Sequence, residues 1–128
     1  MNEEALKRTE EEKKKRTGRL DLSKCELTEI PKIIGQMTWL TMLDLSKNKI
    51  RKLDRLEKFK SLNILYLDSN NIEKIEGLER LKLLEVLYLS SNKLENIQGL
   101  DELQYLNKLD LSSNQLTKID GLATLMSL

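Results

Sequence analysis

Four blocks of this chain recur at a fixed interval. They begin at Leu40, Leu62, Leu84 and Leu106, each 22 residues after the last, and open as LTMLDLSKNKI, LNILYLDSNNI, LEVLYLSSNKL and LNKLDLSSNQL. An earlier block carries RLDLSKCEL from Arg19 and runs one residue longer before Leu40. This period constrains the fold more than any local propensity does, because a unit so short cannot enclose a core by itself. Neighbouring units must stack, and their apolar side chains must line one continuous interior.

The apolar positions stand in register. After the opening leucines come Leu43/Leu65/Leu87/Leu109 and Leu45/Leu67/Leu89/Leu111, then Ile50/Ile72/Leu94/Leu116 and Leu53/Ile75/Ile97/Ile119. Leu56/Leu78/Leu100/Leu122 and Phe59/Leu81/Leu103/Leu125 complete the set. The first pair of columns after the opening leucines is two residues apart, the period of a strand. Later columns at spacings of three suit a 3₁₀ or irregular return path. The expected fold is an α/β solenoid of five repeats over residues 19–128, with a short parallel sheet on a concave face and 3₁₀ or irregular convex segments.

Three further columns carry polar or special residues. Asn48, Asn70, Asn92 and Asn114 follow the strand, where the chain turns inward and leaves backbone groups that a carboxamide can bridge from coil to coil. Cys25 holds this place in the first block, where a small, weakly polar side chain fits with fewer bonds. Gly77, Gly99 and Gly121 stand on the return path, where glycine allows a positive φ or a close approach. Arg55 replaces glycine in the second block, so that turn is expected to take a different geometry. In the first block Ile30-Pro31 departs from the pattern, and proline is harmless there if its missing donor lies outside the sheet.

The form LxxLxLxxNxI…IxGLxxLxx resembles the leucine-rich repeat superfamily, over about residues 19–128. It is similar to the 22-residue class of the SDS22-like protein phosphatase regulators, while the Ile-Pro block is closer to the 23-residue class. The resemblance implies a module that binds other proteins. A phosphatase catalytic subunit or a cytoskeletal component is an implied partner, in a cytoplasmic, nuclear or axonemal setting.

Composition removes several alternatives. With 22 basic and 21 acidic residues the net charge is +1, which gives no basis for generic capture of nucleic acid. There is no histidine, hence neither the commonest general base near neutral pH nor the commonest nitrogen ligand for zinc. Cys25 is the one cysteine, so no intramolecular disulfide can form, and a reducing compartment is the natural one. Apolar runs such as Leu83-Leu84 fall far short of the roughly 20 residues that cross a bilayer. Nucleotide, iron–sulfur, zinc-hydrolase and calcium-loop motifs are absent. The serines and aspartates recur with the repeat, which architecture explains better than catalysis. No enzyme activity and no cofactor or metal are expected.

The two ends raise separate expectations. Residues 1–18 form a charged extension whose Glu3, Glu4, Lys7 and Arg8 have helix-compatible spacing. It reads as a helix shielding the first coil or as a solvated segment, since Ala5 and Leu6 offer little apolar surface. Leu128 opens a sixth unit, and an uncovered last coil would expose a strand edge prone to self-association.

The candidate binding residues lie between the inward leucines, on the opposite face of each strand. Met42, Ile64, Val86, Tyr66 and Tyr88 form an apolar and aromatic patch, with Asp44, Asp68 and Asp110 around it. That is the layout of an interface core with a polar rim. Strand positions also favour such residues for packing alone, so an architectural or self-assembling element, or the targeting portion of a larger regulator or enzyme, is the alternative reading. Trp39 is expected to pack against the irregular first block or to serve as a lateral contact.

Overall fold

The computed structural model describes residues 1–117. A helix α1 (Glu3–Lys15) precedes five strands, β1 (Arg19–Asp21), β2 (Met42–Asp44), β3 (Ile64–Tyr66), β4 (Val86–Tyr88) and β5 (Lys108–Asp110), with a 3₁₀ turn at Lys32–Gln36 between the first two strands. The strands form one parallel sheet in sequence order. Its register pairs Met42, Ile64, Val86 and Lys108 across neighbouring strands, and likewise Asp44, Tyr66, Tyr88 and Asp110. This is the solenoid expected from the repeat. The column members Ile119, Gly121, Leu122 and Leu125, and Leu128 with its open-edge expectation, lie outside the described residues.

The interior is the leucine stack. From the opening leucines to Phe59, Leu81 and Leu103, the registered side chains of the middle coils are buried in one cluster. Each strand is three residues long because the chain then turns inward at the asparagine. Asn92 Oδ1 accepts from Ile72 N at 3.0 Å in the preceding coil, and its Nδ2 donates to Leu67 O, Leu89 O and Ser90 O. Asn48, Asn70 and Asn114 bridge their coils in the same manner. The residue before each of them, Lys47, Ser69, Ser91 and Ser113, has a φ between 54° and 57°. A left-handed step there, unfavourable for a non-glycine residue, brings the carboxamide around to the backbone groups it serves.

The glycine column is crowded as well as left-handed. A Cβ on Gly99 would stand 2.7 Å from Ile75 O, and one on Gly77 would stand 2.9 Å from Leu53 O. Arg55 corrects the expectation of a different turn, since its φ of 63° is in the same region. Its Nη1 donates to Ile30 O at 2.7 Å, so at this coil the arginine engages the carbonyl of the preceding coil by a hydrogen bond.

Helix α1 covers the edge at β1, and it does so mainly through polar groups. Ala5 is buried, whereas Leu6 is exposed. In the inner coils, the amides of Leu45 and Lys47 donate to Tyr66 O and Asp68 O of the next coil. The equivalent carbonyls of the first coil, Asp21 O and Ser23 O, have no earlier strand, and Arg8 Nη1 donates to both at 3.2 Å. Asn63 N donates back to Thr41 O, and the first-coil counterpart, Gly18 N, donates to Glu12 Oε2 at 2.8 Å. Glu12 also accepts from Trp39 Nε1 and Thr17 Oγ1, and the Arg16 guanidinium lies 4.1 Å from the Trp39 ring centroid. Side chains of α1 thus supply the donors and acceptors that a preceding coil would have offered. Burial pushes the Glu12 carboxyl up, but the bonds from Thr17, Trp39 and Gly18 outweigh it and hold the group below its ordinary value.

Two outcomes follow for stability. Asn92→Ala leaves several buried backbone groups unpaired, each worth about 1–3 kcal/mol, and should lower unfolding free energy by about 3 kcal/mol in urea titration. Because Glu12 is more acidic folded than unfolded, its contribution is complete above the unfolded value of about 4.3 and fades as pH falls through the lower folded one. Glu12→Gln should therefore lower Tm at pH 7 and narrow the Tm difference between pH 7 and pH 3, measured by circular dichroism.

Candidate protein-binding face

A strand presents alternate residues to opposite sides. Leu43, Leu65 and Leu87 face the core and are fully buried. Their neighbours Met42, Asp44, Ile64, Tyr66, Val86 and Tyr88 are half-buried on the other side. The sheet register sets Met42, Ile64 and Val86 side by side at the N-terminal ends of the strands, with exposed Arg19 and Lys108 completing that row. In the next row Tyr66 and Tyr88 lie between Asp44 and Asp110. The tyrosine ring centroids are 5.1 Å apart with planes tilted by 49°, a geometry that aromatic pairs favour. Asp68 follows Tyr66 by two residues and is half-buried.

The three aspartates have different chemistry. Asp44 Oδ1 accepts from Ser46 N at 2.9 Å and from Ser46 Oγ at 2.6 Å. Asp110 makes the same pair of bonds with Ser112, and the Ser112 hydroxyl holds its carboxyl below the usual carboxylate range. These are side-chain turns that close the strand end, as short polar residues do. Asp68 has no such serine. Burial raises its carboxyl, its own backbone amide and Lys47 oppose this, and the charges of Asp44 and Asp110 add to the rise. Among the described residues, none of the three carboxylates forms an ion pair.

Several features were missed in the sequence reading. The recurring Asp-Leu-Ser at Asp21, Asp44 and Asp110 is a signal for the side-chain turn, and it could have separated those aspartates from Asp68. Leu83 and Tyr105 are 48% and 58% exposed, in the column where Trp39 is half-buried against the core. Cys25 is buried, with its amide bonded to Asn48 Oδ1 and its thiol pushed up by burial, the inward structural place expected for it. No group of three or more His, Cys, Asp or Glu among the described residues could hold a metal ion. No helix among them is long and apolar enough to cross a membrane.

The stacked coils, parallel sheet and asparagine bridges define a repeat solenoid. A family model described as Leucine Rich repeats (2 copies) matches residues 38–80, 60–102 and 82–124, and the chain belongs to this family. The leucine-rich repeat domain of APL1B is a similar solved structure, with TM-score 0.81 and 25% identity over 99% of this chain and 40% of that one. Internalin C2 of Listeria monocytogenes is another, with TM-score 0.80 and 27% identity over 85% of this chain and 48% of that one. The internalin inlF of the same organism gives TM-score 0.54 and 26% identity, covering 78% of this chain and 36% of that one. The chain thus spans less than half the length of each of these structures. No curated protein sequence matches it.

The aspartates should respond oppositely to substitution. Asp44→Ala loses both bonds to Ser46 and should lower stability by about 1 kcal/mol. Asp68 is less acidic folded than unfolded, so its ionised form is disfavoured by folding above the ordinary carboxylate range. Asp68→Asn should therefore leave Tm at pH 7 unchanged or raise it, and a fall as large as that of Asp44→Ala would contradict the assignment.

Proposed function

We propose that this chain is a non-enzymatic recognition module that holds a partner protein on the exposed, concave face of its sheet. One observation carries the reading: Met42, Ile64, Val86, Tyr66 and Tyr88 stand in adjacent registered positions, half-buried, on the face opposite the core. Contiguous apolar surface of this kind marks interaction sites, and tyrosine combines a large contact area with a hydroxyl that a partner can bond. The likeness of the repeat to the SDS22-like class supports a phosphatase catalytic subunit as one partner to test, and a cytoskeletal component as another, in a cytoplasmic or nuclear setting.

A second reading rests on the Tyr66–Tyr88 ring contact. That contact alone stabilises adjacent strands, as an architectural element requires. The readings differ in what loss of the rings does. For recognition, Tyr66→Ala and Tyr88→Ala should each weaken partner affinity by about 1–3 kcal/mol in calorimetry, with partners taken from capture in the native cell. For architecture, Tm falls and affinity does not. Binding to a purified phosphatase catalytic subunit and co-sedimentation with microtubules distinguish the two partner classes.

A further inference from the structure

The exposed sheet face is divided by chemistry. Its row at the N-terminal ends of the strands is apolar at Met42, Ile64 and Val86 and ends in the exposed cations Arg19 and Lys108, and its acids form a separate group toward the C-terminal ends. Asp44 and Asp110 flank the two tyrosines in one row, three strand spacings apart, or about 14 Å. Asp68 lies beyond Tyr66 and senses the charges of both. These carboxylates form no ion pair among the described residues, and Lys47 is the cation that offsets part of their field at Asp68.

Docking any surface here removes water from the carboxylates together with the apolar row. A neutral or acidic partner would leave these charges buried with only the Ser46 and Ser112 bonds to Asp44 and Asp110 to offset them, which is unfavourable. A partner carrying cations matches them, and the faces of Tyr66 and Tyr88 add attraction for the same cations. An extended chain advances about 3.3 Å per residue, so about four residues cover the distance from Asp44 to Asp110. Side chains two residues apart in such a chain point to the same side.

We infer that the occupant of this face is an extended segment of a partner protein with Lys or Arg at two positions four residues apart and an apolar residue midway between them. This rests on the recognition reading above, and it assigns Asp44, Asp68 and Asp110 the role of selecting the partner's charge. The cations reach the acids on either side of the tyrosine pair, and the midway side chain packs beside the rings.

A displayed library of random 12-residue peptides, selected on the immobilised protein and sequenced, tests this. The expected winners carry Lys or Arg at i and i+4 with an apolar residue at i+2, and bind at least about tenfold more weakly to the Asp44→Asn/Asp68→Asn/Asp110→Asn variant, a change of about 1.4 kcal/mol. Each asparagine keeps an Oδ1 for the local turn, and Asp68→Asn alone, which has no serine bond to lose, should show part of the effect if the triple variant does not fold. Winners that depend on Tyr66 and Tyr88 yet are neutral or acidic would overturn the charge inference and leave the recognition reading standing. No enrichment, or winners indifferent to Tyr66→Ala/Tyr88→Ala, would overturn both.

Discussion

The coil-to-coil asparagine bridge is the interaction on which the rest of this molecule depends. A parallel strand that continued would satisfy its backbone through its neighbours, but a solenoid must turn its chain inward every coil. At that corner amides and carbonyls face the apolar interior, where an unpaired polar group is costly. A carboxamide offers two donors and an acceptor in one small plane, and Asn70 uses them on Leu45 O, Leu67 O, Asp68 O and Ile50 N. The left-handed residue before it is part of the same device. With the corner fixed, the leucines before and after it have defined directions, and the outward residues of each strand fall into rows.

A solenoid built this way has an exposed edge wherever stacking begins. At β1 the closure is made by side chains that stand in for backbone: the Arg8 guanidinium replaces the amides of an earlier coil, and the Glu12 carboxylate replaces its carbonyl. Asn2 extends the substitution by donating to Cys25 O. This explains how a helix with little apolar surface can be held on a sheet edge. It also explains why Cys25 suffices where later coils have asparagine, since α1 rather than another coil lies against it. Trp39 joins the two systems, packing on the core while its indole donates to Glu12.

The same geometry gives the exposed face two kinds of row member, aspartates bonded at the strand ends and an aromatic pair between them. Asp44 and Asp110 are engaged by Ser46 and Ser112 at the strand ends, whereas the middle strands carry tyrosines at the equivalent positions. Where the aromatic pair stands, the strand ends lack the aspartate–serine turn, and the two rings are in contact with each other. For the recognition proposed above, the hydrogen bonds that hold Asp44 and Asp110 and the contact between the two rings would reduce the ordering cost of association.

The 22-residue period determined the solenoid, the order of its strands and which residues share a row, because the repeat forces equivalent positions of successive coils to lie together. The leucines, the asparagine column and the five outward residues from Met42 to Tyr88 were legible for that reason. What did not repeat was hidden. The extension that carries Arg8 and Glu12 read as a helix shielding the first coil or as a solvated segment, and only the folded arrangement decides for the shielding helix and brings these two side chains to Ser23 O and Gly18 N. The Arg55 turn was misread because local propensity treats a positive φ as the province of glycine, while the bond to Ile30 O is tertiary. Likewise the division between aspartates held by serines and the less acidic Asp68 was decided by burial and neighbouring charge, which depend on distances that a linear sequence does not contain.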